Sequence, residues 1–225
     1  MNRIMTPKHK VLWVVAVLLV PVAARAQNVT RDWSGVYVGA HGGPATDRIH
    51  YVEPDDPSFA ITPRVTGVLG GPLVGFSHQR DRLVFGLEGD AGAGRLRRIA
   101  NSGGSGNDYS QIDLDWNAHV RGTLGRALNR TVLYVAGGLA FGRVTLDDID
   151  PGFGRDRATH RGWTFGGGLA HVSADHLVLR IEYLFDSYGR KRYSIEAPPG
   201  PYFPSYASDI NMTVQTMRGG VIYRF

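Results

Sequence analysis

The stretch Ile112-Asp113-Leu114-Asp115-Trp116-Asn117-Ala118-His119-Val120-Arg121-Gly122-Thr123-Leu124 alternates without a break. Its even positions are apolar or glycine, and its odd positions are polar or charged. A β-strand sends successive side chains to opposite faces, so such a strand has one greasy face and one wet face. Working outward, Leu177–Asp186 sets Leu177, Leu179, Ile181, Tyr183 and Phe185 on one face. Arg180, Glu182 and Asp186 face the other, with Val178 and Leu184. Leu83–Gly92 sets Leu83, Phe85 and Leu87 against Glu88 and Asp90. The C-terminus ends Met217-Arg218-Gly219-Gly220-Val221-Ile222-Tyr223-Arg224-Phe225.

Alternation alone does not say which face is inside, because a soluble sandwich alternates too. Three further features choose. The alternating runs reach ten or more residues, and about 9–11 tilted residues span a bilayer. Connections alternate in length. Short links fall at Gln79–Arg82, Gly125–Arg130 and Ser173–His176, and long polar ones at Pro44–Arg64, Arg95–Asp108, Asp147–Thr159 and Gly189–Ser208. Outer-membrane barrels pair short periplasmic turns with long outer loops in this way. Trp33, Trp116, Trp163, Tyr183, Tyr223 and Phe225 sit near strand ends, as interfacial aromatic girdles do. Strands are predicted near 34–43, 66–79, 83–94, 111–124, 131–145, 161–173, 177–187 and 210–225. Eight is an even number, and closure removes the edges that lipid cannot satisfy. The fold class is all-β: an eight-stranded antiparallel transmembrane β-barrel.

The N-terminus reads as an address. Residues 1–10 are basic, Val11–Val20 is apolar, and Ala24-Arg25-Ala26 offers small residues at a cleavage site. This is the grammar of a cleavable secretory signal peptide over 1–26, leaving a barrel domain over 27–225. The apolar stretch is shorter than the roughly 20 residues of a spanning helix. The 225-residue chain carries a formal charge of +5, from 25 Lys and Arg against 20 Asp and Glu. Arg3, Lys8, Lys10 and Arg25 lie in the leader, so 27–225 is nearly neutral. A nucleic-acid partner is therefore not expected, since phosphate binding needs a surplus of cations on one face. There is no cysteine, which excludes disulfides and thiolate chemistry. Gly, at 30 residues, argues against a helical protein.

Several segments resemble a known family. Trp33-x-Gly35-x-Tyr37-x-Gly39 is similar to the first strand of the small porin-family barrels of alphaproteobacteria, within the OmpA-like transmembrane barrels. Trp116–Gly125 resembles their fourth strand, Leu133–Gly142 the fifth, Gly162-Trp163-Thr164 with Gly166–Gly168 the sixth, and Arg180–Tyr183 the seventh. The last residues resemble the terminal sorting signal read by the barrel-assembly machinery: Arg218, Gly220, Tyr223 and Phe225. The resemblance implies the outer membrane of a Gram-negative bacterium. Leu73 departs from it, standing where a polar inward residue is expected.

On this parity the lumen holds a charge network of Glu88, Asp90, Asp115, Arg121, Arg180, Glu182 and Arg218, with Asn117, His119, Tyr37 and His41. An eight-stranded barrel is just wide enough for side chains to fill it. The network reads as a plug of ion pairs rather than as a narrow gated pore. At the outer end Arg95, Arg97, Arg98, Arg155, Arg157, Arg161, Arg190 and Arg192 form a candidate belt for lipopolysaccharide phosphates. The Ser/Gly-rich loop Asn101–Asp108 and the Pro/aromatic loop Ala197–Tyr206 suit contact with a host or extracellular ligand.

Three chemical sites receive weaker support. His171-Val172-Ser173 has the His-x-Ser spacing of outer-membrane lipid A deacylases. It falls in a short turn on the periplasmic side, away from outer-leaflet lipid A. Asp147-Asp148-Ile149-Asp150-Pro151-Gly152 lacks the downstream Glu of a calcium loop. His50 and His160, with Tyr51, Tyr202 and Tyr206, could hold haem iron but have no fixed frame. No catalytic residue, cofactor or metal site is assigned. The function expected is structural and surface-interacting: envelope integrity, contact with outer-membrane lipids and lipopolysaccharide, and loop-mediated recognition. The alternatives are a narrow porin or haemin-binding surface protein and, third, a lipid A-modifying enzyme.

Overall fold

The computed structural model describes residues 31–52, 60–61, 64–101, 109–148, 155–195 and 206–225. Eight long strands follow one another around a closed sheet: β1 (Gly35–Val52), β3 (Arg64–Arg80), β4 (Leu83–Asn101), β5 (Tyr109–Leu128), β6 (Thr131–Asp148), β7 (Arg155–Val172), β8 (Leu177–Ile195) and β9 (Tyr206–Arg224). A two-residue strand, β2 (Ala60–Ile61), attaches to the outer end of β1. Every pairing is antiparallel, and β1 with β9 closes the ring. Residues 1–26, read as a signal peptide, lie outside the described residues.

The lower turns are as short as the sequence suggests. Arg80 pairs with Leu83 and Leu128 with Thr131, leaving two-residue loops. Asp81 and Asn129 take the left-handed region there, at φ 56° and 60°. Short polar side chains tolerate that region better than branched ones.

The upper ends differ from expectation. Strands run 17 to 20 residues, so much of what reads as long outer loop is strand. At about 3.3 Å per residue each runs about 55–65 Å along its axis. That outreaches a hydrocarbon core of about 30 Å even when tilted. Beyond the bilayer neither face meets lipid, so nothing there enforces alternation. Pro44 and Pro72 lie inside strands, although proline lacks the ladder donor. Pro44 pairs with Val68 on β3, while the β1–β9 ladder skips Gly43–Pro44. Pro72 pairs with Ala40 on β1, while the β3–β4 ladder skips Gly71–Pro72.

The barrel is inverted relative to a soluble protein. Leu87, Val120, Leu139, Phe165, Ile181 and Met217 stand exposed on the outer wall at mid-barrel. Glu88, Arg121 and Glu182 are each 1% exposed in the interior. Trp163, Tyr183, Tyr223 and Phe225 also face outward. Trp33 does not join them: at 3% exposure it tucks into the periplasmic mouth, because residues 31–34 fold back under β3. There its amide donates to Gln79 Oε1 at 2.9 Å, and its carbonyl accepts from Ser77 Oγ and Arg224.

Candidate functional site

The interior is stacked in compartments. At the periplasmic end Trp33, Val84, Ala127, Val132, Ala170, Val172, Val178 and Ile222 pack into an apolar layer. Alternation in β4 and β8 continues inward-facing through Val84 and Val178, so these apolar residues share the parity of the charges above them. Arg224 covers the layer, with its guanidinium 5.5 Å from the Trp33 ring and 5.2 Å from that of Tyr37.

The charged layer lies above. The register sets Glu88 of β4 opposite Arg121 of β5 and Glu182 of β8 opposite Arg218 of β9. Arg121 binds Glu88 through Nη2, approaches Asp90 Oδ2 at 3.0 Å and reaches Glu182 Oε1 at 3.1 Å. Arg180 donates to Glu88 Oε2 at 2.5 Å and to Glu182 Oε1 at 2.9 Å. Arg218 grips Asp90 with two nitrogens, at 2.9 and 3.2 Å, and Glu182 Oε2 through Nε at 2.7 Å. Glu182 thus joins all three guanidinium groups. Two phenols finish the network: Tyr37 donates to Glu88 at 3.0 Å, and Tyr134 to Glu182 at 2.8 Å. A β-carbon at Gly75 would overlap the Tyr37 ring, so that glycine makes room for it. His119 contacts Asp90 at 2.8 Å through Nδ1 and Asp186 at 3.2 Å through Nε2.

Six of the seven residues predicted for the lumen network therefore meet in one layer; Asp115 does not. It is exposed, while Leu114 beside it is 3% exposed and faces inward. A β-bulge causes this. On β5, Leu114 pairs with Val144 and Trp116 with Arg143, so Asp115 is an extra residue on its strand. An extra residue reverses the parity above it. Asp115 instead accepts from Thr145 Oγ1 at 2.8 Å. Leu73, 4% exposed, does face inward despite being apolar.

Tyr134, Asp186 and Asp47 belong to the interior but not to the predicted set. Tyr134 was legible in principle, since Leu133 and Val135 beside it face lipid. Asp47 falls in a segment read as loop.

The other candidates scatter. His171 pairs with Thr131 Oγ1 at 2.9 Å, and the Ser173 amide donates to Leu177 O, at the periplasmic end. His160 is 1% exposed in the β7 wall, with Nδ1 3.2 Å from Gly189 O. Asp147 and Asp148 end β6, while 149–152 lie outside the described residues. So do 102–108 and 196–205, including Tyr202. Of the basic belt, Arg97 pairs with Asp113, Arg155 with Asp147 and Arg192 with Asp209 in backbone register. Arg157, Arg190 and Arg192 are exposed on the outer extensions. Of the terminal motif, Arg218 and Gly220 turn inward, and Tyr223 and Phe225 turn outward with ring centroids 5.2 Å apart.

Charges sealed within a closed wall whose outside is apolar describe a barrel built for lipid. Residues 13–225 match the family described as outer membrane protein beta-barrel domain. The chain belongs to that family. A 22 kDa outer membrane protein of Rhizobium leguminosarum bv. viciae is 29% identical over 166 residues, covering 74% of this chain and 69% of the relative. A 25 kDa outer-membrane immunogenic protein of Brucella abortus is 26% identical over 169 residues, covering 73% and 70%. Among solved structures, the outer membrane protein OprG of Pseudomonas aeruginosa shares the fold, with a TM-score of 0.56 at 12% identity. That match covers 87% of this chain and 99% of the other. This family member is an outer-membrane protein of a Gram-negative bacterium.

Proposed function

We propose that this outer-membrane barrel is a non-conducting, non-enzymatic wall element that stabilises the envelope and meets lipopolysaccharide and outside surfaces with its upper end. The observation that carries the reading is the interlocked layer of Glu88, Asp90, Arg121, Arg180, Glu182 and Arg218 across the lumen. A side-chain plug of this kind leaves the outer wall and the strand extensions as the working surfaces. The arginines of the extensions, from Arg95 to Arg192, supply forked donors suited to phosphate. Tyr223 and Phe225 offer the barrel-assembly machinery an aromatic end, and the upper loops offer a host or extracellular ligand its contact.

The test is a deletion strain complemented with wild type or with Arg97→Glu and Arg98→Glu together. The wild-type gene should restore lipopolysaccharide retention, and the charge-reversed pair should restore less. Equal rescue would remove the belt from the account. Mass spectrometry of lipid A should show the same acylation with and without the gene; a change would make the protein an enzyme.

A further inference from the structure

Above the charged layer the interior holds polar atoms that the ion-pair network does not absorb. Asp47, 2% exposed, has no partner for Oδ1 among the described residues, and neither does Oγ1 of Thr216, 4% exposed. The two are diagonal neighbours on one face. Asp47 of β1 pairs with Val214 of β9, and Thr216 pairs with Ala45. Diagonal side chains of a sheet stand within reach of one another. On the other side of Val214, Asp186 Oδ1 and Thr164 Oγ1 also lack hydrogen-bond partners among the described residues, and those two residues are paired across β7 and β8. The Tyr188 hydroxyl, beside Asn117, lies within electrostatic reach of both aspartates. These four unpartnered atoms are all oxygens. A buried polar atom left without a partner is costly, and a buried charge is more so.

The charges point the same way. The described interior buries five carboxylates: Asp47, Glu88, Asp90, Glu182 and Asp186. Arg121, Arg180 and Arg218 answer three of them. His119 faces carboxylates through both ring nitrogens, and donating to both requires two N–H groups and hence a positive charge. His41 lies between the Arg218 guanidinium, at 3.4 Å, and Asp90 Oδ1, at 3.6 Å, and His160 Nδ1 lies 3.2 Å from Gly189 O. Arg224 lies at the far, periplasmic end with Trp33. Among the described residues Asp47 is the buried carboxylate without an ion pair.

We propose that the outer compartment of the lumen binds a monovalent metal cation at Asp47, with the Thr216 hydroxyl beside it as a second oxygen donor. Hard cations take carboxylate, hydroxyl and water oxygens, and one unit of charge matches the single unpaired carboxylate of Asp47. Among the described residues no group of three or more His, Cys, Asp or Glu could hold a metal ion. A divalent ion, which draws on several carboxylates, is thus not the occupant the site suits.

The experiment uses the mature barrel refolded in detergent micelles, with sodium, potassium, magnesium or choline chloride at one ionic strength. The readouts are the unfolding equilibrium and the relaxation of the sodium-23 resonance. Sodium or potassium should stabilise the fold above choline in a saturable way, raising the folded-to-unfolded ratio about tenfold at ten times the dissociation constant. Asp47→Asn, which keeps shape and loses charge, should fold and lose the response. Thr216→Val should weaken the affinity several-fold. Identical stability in all four salts would mean that a proton neutralises Asp47, and would overturn the proposal. A response retained in Asp47→Asn, or strongest with magnesium, would overturn it as well.

Discussion

The charged middle of the lumen and the apolar layer beneath it fill the same cylinder by different physics. The middle holds Arg121, Glu88 and Glu182 in contacts that satisfy one another, so each group is costly to remove alone. The lower layer holds Val132, Val172, Val178 and Ile222 by area and fit, so each contributes in proportion to the atoms it buries. The described interior is not polar throughout. Ions suffice where cross-strand register sets acid against base, and aliphatic side chains serve beside the two-residue turns.

The sharpest way to break that contrast is Glu182→Ala. It takes the shared acceptor from Arg121, Arg180, Arg218 and Tyr134. The expected loss is about 3–5 kcal/mol, because three guanidinium groups stay buried with fewer partners. Urea unfolding of the refolded protein in lipid vesicles measures it. A loss below about 1 kcal/mol, the value of an exposed pair, would mean that water reaches the layer.

One residue away the wall faces the opposite solvent. Ile181 is 58% exposed to lipid between inward-facing Arg180 and Glu182. Ile181→Arg should cost about 2–4 kcal/mol, as expected of a cation near the bilayer midplane, by the same unfolding measurement. No cost in lipid would place that face in water and invert the barrel. The smallest effect belongs to the lower layer. Ile222→Val removes one methylene from a packed site and should cost about 0.5–1.5 kcal/mol with no change in assembly.

The same contrast explains what the sequence discloses. Alternating charges at Glu88, Asp90, His119, Arg121, Arg180 and Glu182 announce both strand and orientation, since few folds place such residues on one face opposite an unbroken apolar one. The lower layer is silent because Val84 and Val178 look like lipid-facing residues out of step. Asp115 misleads because a bulge is a backbone event, with no side-chain signature in Leu114-Asp115-Trp116. The strand tops, from Pro44 to Val52 and from Gly189 to Ile195, are hidden because no lipid-facing side enforces alternation beyond the bilayer. Asp47 is hidden with them. The family likeness fixes the class of protein, and the interior contacts, which no short motif encodes, fix what the lumen holds.

Planar-bilayer recording of the purified, refolded protein tests the plug most directly. The account predicts no steady single-channel conductance for wild type over a range of voltages. A stable, reproducible ohmic step from wild type would show a continuous water path past Glu88, Arg121 and Glu182, and would contradict it.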